Sequence, residues 1–203
     1  MLELDHLAVA ARDLEEGRAA VEEALGVRLQ AGGQHARFGT HNLLLGLENG
    51  IYLEVIAIDP DAPAPEGARW FDLDSFDGPP ALQCWICRCD DLGAALTRYP
   101  GAGDPIALER GDLSWRMAVP RDGVLAFDNR FPALIEWAGD AHPANRLAAS
   151  GCTLARLVVS HPEAGQLADL LGPELSDSRV VFERGAPGLR AEISTPGGLR
   201  VLE

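Results

Sequence analysis

One pattern recurs three times along this 203-residue chain and constrains its fold more than any other feature. A short alternating segment leads into a capped amphipathic segment, and two or three further alternating segments follow. In the first copy residues 2–10 alternate as a strand. Asp13 then stands as a helix N-cap with Glu16 three residues on, Leu14, Val21 and Leu25 make an apolar stripe, and Gly26 stops the helix. After a turn at Gly32-Gly33, residues 42–47 and 51–58 read as strands joined by Glu48-Asn49-Gly50, whose Asn-Gly pair signals a tight hairpin. The second copy has a strand over 82–89, a cap at Asp90-Asp91, a helical stripe of Leu92, Ala95, Leu96 and Tyr99, and strands over 106–109, 113–119 and 133–137. The third has a strand over 153–160 and a capping box of Ser160 and Glu163. Leu167, Leu170 and Leu171 then face inward, and strands follow over 179–183, 189–194 and 199–202. The fold class this predicts is α+β, built from repeated βαβββ modules at residues 1–58, 82–140 and 153–203. A Pro-rich, acidic linker (59–81) and a connector (141–152) separate them.

Charge and composition narrow the function. Seventeen basic residues against 31 acidic ones leave a net charge of −14, a field that repels phosphate backbones and anionic lipid. Nucleic acid and membrane surfaces are therefore not the expected partners. Every basic residue is arginine, so a Schiff-base or nucleophilic lysine is excluded, as is the lysine of a phosphate-binding loop. The acidic start and the lack of any apolar run of roughly 18–20 residues predict a cytoplasmic protein. Cys84, Cys87 and Cys89 share one strand, with Cys87 and Cys89 on one face and Cys84 on the other, and with Cys152 they read as buried, unbridged hydrophobes.

The motifs carry a resemblance. Leu4-Asp5-His6-Leu7-Ala8-Val9 with Asp13-Leu14, then Gly32-Gly33-Gln34-His35, Gly39-Thr40-His41-Asn42 and Tyr52-Leu53-Glu54 with Asp59-Pro60, are similar to the glyoxalase-like domain family of the vicinal oxygen chelate superfamily. Trp115-Arg116, Ile135-Glu136-Trp137, His142-Pro143 and Thr195-Pro196-Gly197-Gly198 extend the likeness over nearly the whole chain. The resemblance implies two modules enclosing a cavity, with a third module beside them. It also implies metal ligands on the first and last strands of each cavity-forming module, which carry across as His6 and Glu54. Aligning Asp91-Leu92 on Asp13-Leu14 places Glu136 at the Glu54 position and Cys84 opposite His6. The implied cofactor is a divalent ion (Zn²⁺, Mn²⁺ or Ni²⁺) held by His6, Glu54 and Glu136, with Cys84 a weaker fourth.

Such an ion would act as a Lewis acid on a small oxygenated metabolite, with Glu136 or His41 moving the proton. Isomerase or lyase chemistry fits better than dioxygenation, because the aligned positions hold too few histidines. The residues also allow plainer readings. His6 could be a core histidine bonded to a carbonyl, Thr40-His41-Asn42 a strand start bonding backbone, and His142 and His161 loop and surface features. A metal-free protein that binds or sequesters a small molecule in the same cavity is the alternative function. A homodimer would give the unpaired third module a partner.

Overall fold

The computed structural model describes all residues, Met1–Glu203. The first module runs β1 (Glu3–Ala10), α1 (Leu14–Leu25), β2 (Gln30–His35), β3 (Thr40–Leu47) and β4 (Ile51–Ile58). The second runs β5 (Ala81–Arg88), α2 (Leu92–Arg98), β6 (Asp104–Arg110), β7 (Leu113–Val119) and β8 (Ala133–Trp137). Their local signals act as the sequence predicts. The Asp13 carboxylate accepts from Glu16 N at 2.8 Å, Asp91 accepts from Ala94 N at 3.0 Å, and Gly26 closes α1 in the left-handed region. Asn49 and Gly50 both take positive φ (67° and 73°) in the short loop that lets Leu47 pair with Ile51.

The two modules merge into one eight-stranded sheet, ordered β2-β3-β4-β1-β5-β8-β7-β6. Within each module the first and last strands pair in parallel, and the modules join where β1 and β5 run antiparallel. The sheet curls until its edge strands β2 and β6 approach one another, with Gly33 against Arg110. Gly32-Gly33 is not a turn. It sits inside β2 at an irregularity between Ala31 and Gln34, where a Cβ on Gly32 would lie 2.1 Å from Asn42 Oδ1 and one on Gly33 would lie 2.7 Å from the Arg110 side chain. The missing side chains leave room for these two polar groups.

Alternation divides the sheet's side chains between two cores. Leu7, Val9, Leu45, Leu53, Val55, Trp85 and Cys87 point outward and are covered by α1, α2 and the third module. That module consists of β9 (Thr153–His161), the helix Ala164–Leu171, β10 (Val180–Arg184), β11 (Gly188–Thr195) and β12 (Gly198–Leu202). It repeats the chain order of the first two but pairs differently, as β10-β9-β11-β12, so its first strand lies inside its own sheet. Leu157, Val159, Leu167, Ala191 and Ile193 bury it against the outer face of the large sheet. Two local readings need correction: no side chain caps the helix Ala164–Leu171, and Leu170 is exposed. His161 is buried, with its Nε2 3.1 Å from Asp128 Oδ2.

The inner face gathers a second apolar cluster that includes Ala8, Ile56, Trp115, Met117 and Ile135. Part of the linker folds onto it: Trp70, Phe71 and Leu73 are all buried there, and Trp70 stacks on both Phe38 and Phe71. The acidic segment is therefore anchored by its aromatic residues as a cover over the inside of the curled sheet. All four cysteines are free and buried, Cys84 on the inner face and Cys87 and Cys89 on the outer. No helix is long and apolar enough to cross a membrane.

Candidate active site

A cavity of about 30 Å³ lies inside the curled sheet, lined by His6, Tyr52 and Glu54 from the first module and by Trp115, Ile135 and Trp137 from the second. It has room for roughly two water molecules. Two elements set its polar wall. On β1 a bulge falls at Asp5, because Leu4 pairs with Cys87 while His6 pairs with Ile86. Asp5 and His6, adjacent in sequence, thereby both reach groups on the inner side. On β4, Tyr52 and Glu54 are two residues apart and share the inner face.

The polar groups form one chain of contacts. The wholly buried Asp5 takes the His6 ring at 2.5 Å (Nδ1 to Oδ1), and its other oxygen accepts from Trp137 Nε1 and His142 Nε2, each at 3.0 Å. The far ring nitrogen of His6 lies 3.5 Å from Glu54 Oε1, while Asn42 Nδ2 donates to Glu54 Oε2 at 2.7 Å. Tyr52 stacks on the His6 ring at 4.4 Å between centroids. Arg110 reaches in from β6, and its NH1 lies 3.3 Å from His35 Nε2 and 3.4 Å from Asn42 Oδ1.

Electrostatics fix the protonation states. Burial alone would lower the pKa of His6, but the hydrogen bonds and charges of Asp5 and Glu54 raise it to about 9, so the ring is an imidazolium at neutral pH. Burial works to raise Asp5, yet the bonds from His142 and His6 hold it well below the usual carboxylate range. Glu54 is likewise lowered against its burial, chiefly by the hydrogen bond and charge of His6. His35 shows the opposite balance. Burial, aided by the Arg110 charge and opposed by Glu54, drops it to about 4. It is therefore neutral, accepting from Arg110 at Nε2 and donating from Nδ1 to Thr40 Oγ1, 3.0 Å away.

Of the residues expected from sequence, the structure brings together His6 and Glu54 and leaves two others apart. Glu136 points to the outer side of β8, where it accepts from Leu92 N at 2.6 Å and Arg116 NH2 at 2.5 Å. The inner position is held by Ile135. A register one residue off turns a strand side chain to the opposite face. His41 faces outward between the inward Thr40 and Asn42, and its buried Nε2 has no partner. Cys84 faces inward, but burial pushes its thiol up to about 12, and it packs among apolar side chains. The groups sequence reading missed are Asp5, Tyr52, Trp137, His142 and Arg110. All but Arg110 stand within the motifs, at Asp5-His6, Tyr52-Leu53-Glu54, Ile135-Glu136-Trp137 and His142-Pro143, while nothing in the sequence marked Arg110.

The donor set does not suit a divalent ion. The 3.5 Å between His6 and Glu54 is close to the ~3.4 Å expected of two ligands ~2.1 Å from one tetrahedral ion. A catalytic site takes a third protein ligand, and no His, Cys, Asp or Glu side chain completes a group of three. The second module offers Ile86 and Ile135 at the matching pairs of β5 and β8, and the Arg110 guanidinium adds a fixed positive charge at the cavity wall. The pair instead makes an acid and a base facing one small space: an imidazolium N–H and a carboxylate.

Comparison with known proteins agrees with this architecture. A crystal structure of a hypothetical protein from Staphylococcus aureus superposes with a TM-score of 0.69 at 15% identity, covering 100% of this chain and 99% of that one. That likeness concerns the fold. Methylmalonyl-CoA epimerase from Mycobacterium tuberculosis is 18% identical with a TM-score of 0.45, over 68% of this chain and 88% of its own. No curated protein sequence gives a significant match. The model of the glyoxalase-like domain matches residues 4–175, which hold both cavity-forming modules and the start of the third, and the chain belongs to that family.

Proposed function

We propose that this protein is an isomerase- or lyase-type enzyme that moves a proton on a small carbonyl metabolite through His6 and Glu54. The observation that carries the reading is the buried Asp5–His6–Glu54 chain opening onto a cavity. The Glu54 carboxylate takes a proton from the carbon beside the carbonyl as that C–H bond breaks. Its electron pair forms the carbon–carbon double bond, the carbonyl π pair moves onto oxygen, and that oxygen takes the Nε2 proton of His6. Asp5 keeps the ring oriented and charged until the proton leaves. Loss of the imidazolium charge then raises the basicity of Glu54, so the two transfers support each other. Return of the proton to another face or atom gives isomerisation, and loss of a neighbouring group gives elimination.

Proton NMR in D₂O tests this on a panel of small 2-oxo acids and 2-hydroxy carbonyl compounds. Protein-dependent exchange of the proton beside the carbonyl is expected for at least one compound. It should resist chelation and fall on the order of 100-fold or more in Glu54→Gln. Exchange that Glu54→Gln leaves intact, or no exchange on any compound, would overturn the reading. The aromatic walls, Tyr52 stacked on His6 and Trp115 tilted against Trp137, favour one rival, a protein that only holds its ligand. Binding with no exchange would identify that rival.

A further inference from the structure

We infer that the cavity takes its ligand by a carboxylate, received by Arg110 and the Trp70 indole N–H. This deepens the proton-transfer reading and rests on it for the ligand's orientation. Two observations independent of the His6–Glu54 pair point the same way. Arg110 is half-buried at the meeting of β6 with β2 and pairs with no carboxylate; its polar partners are a neutral imidazole and an amide oxygen at 3.3 and 3.4 Å. In a chain with 31 acids and 17 bases, arginines such as Arg116, Arg146 and Arg179 pair with an acid within 2.7 Å. Arg110 has no such partner, as is also true of Arg37, Arg98, Arg130, Arg184 and Arg200, and of these six it alone lines the cavity. Trp70 lines the same cavity at 4% exposure, and its Nε1 is buried without any partner. A buried indole N–H left unbonded is destabilising, and a ligand oxygen accepting from it would relieve that.

The surrounding chain is built to admit this guanidinium. Gly33 stands where any Cβ would lie 2.7 Å from Arg110 Cδ and 3.1 Å from its Nε and NH1. His35, kept neutral, accepts from Arg110 instead of repelling it. A guanidinium fork matches a planar carboxylate with two parallel N–H···O bonds. With that end fixed, the rest of the ligand shares the cavity with His6 and Glu54. The class of ligand is therefore a short 2-oxo or 2-hydroxy acid, and the cavity of about 30 Å³ must widen to admit it.

Thermal shift and calorimetric titration with pyruvate, its neutral isostere pyruvamide and inorganic phosphate test the assignment on the full chain. Pyruvate is expected to stabilise and bind the wild type at millimolar concentration, pyruvamide and phosphate about tenfold or more weaker. Arg110→Gln should lose the preference for pyruvate, Arg110→Lys keep part of it, and Trp70→Phe weaken pyruvate alone. Equal binding of pyruvate and pyruvamide, no binding of pyruvate, phosphate binding as tight as pyruvate, or an Arg110→Gln variant that folds and keeps the preference would each overturn it. Glu54→Gln separates the two claims. Pyruvate binding retained with no exchange in any form of the protein sinks the catalytic reading and leaves the carboxylate site standing. Exchange on neutral carbonyls that is indifferent to Arg110 does the reverse.

Discussion

Replacing Asp5 by alanine is expected to destabilise the fold by about 3–5 kcal/mol, because it removes the partner of a buried charge. Asp5 has no exposed surface and accepts from three donors: His6 Nδ1 at 2.5 Å, and Trp137 Nε1 and His142 Nε2 at 3.0 Å. Those donors come from β1, β8 and the segment after it, so one carboxylate ties the first module to the second. Alanine leaves all three without an acceptor and leaves the imidazolium with Glu54 alone. Asp5→Asn keeps a single carbonyl oxygen of similar reach, so its loss should be roughly half as large. For contrast, the exposed Arg146–Asp112 pair is screened by solvent, so its loss should be small beside that of Asp5. Urea denaturation of Asp5→Ala, Asp5→Asn and Asp112→Ala measures all three. A loss below about 1 kcal/mol for Asp5→Ala would show that the chain of contacts through His6 does not hold the modules together.

Stability should peak near pH 6.5 and fall on both sides, and each slope is assigned to one histidine. His6 is raised to about 9 in the folded protein against 6.5 when unfolded. Between those values the native state binds a proton that the unfolded chain has lost, so stability is full below pH 6.5 and falls as pH rises towards 9. His35 is depressed to about 4. Between about 4 and 6.5 the unfolded chain binds the extra proton, so stability falls as pH drops through that window. At ~1.4 kcal/mol per pKa unit each limb amounts to about 3 kcal/mol. Asp5 and Glu54, lowered in the fold, add further losses only below the ordinary carboxylate range. Denaturation across pH is expected to show this dome, with the alkaline limb flattened in His6→Gln and the acid limb flattened in His35→Gln. A plateau from pH 6.5 to 9 in the wild type would contradict the charge assigned to His6.

The element order was legible because each signal is local. Asp13 and Asp91 cap helices by bonding backbone three residues away, and Asn49-Gly50 closes a hairpin through its own φ angles. The inward face of Glu54 was legible from its place on β4 between Tyr52 and Ile56, while His6 came from the motif resemblance. Three things were not. The face of Glu136 depended on counting residues across loops of unequal length, and an error of one position set it outward. Pairing in the third module is a choice among strands of equal periodicity, so the exchange that puts β9 between β10 and β11 leaves no mark in the pattern. Asp5, His142 and Arg110 meet through a bulge, the segment after β8 and the approach of two sheet edges, none of which alternation encodes. The linker did hold a signal in Trp70-Phe71, two large aromatics amid acids and prolines.

The charge on His6 can be read without knowing the substrate, by ¹⁵N NMR of histidine-labelled protein with His6→Gln supplying the assignment. Both ring nitrogens of His6 should be protonated at neutral pH, titrate together near pH 9 and stay unmoved by stoichiometric Zn²⁺. A bare ring nitrogen at neutral pH, shifting as Zn²⁺ is added, would instead make His6 a metal ligand and contradict a proton-transfer pair that works without one.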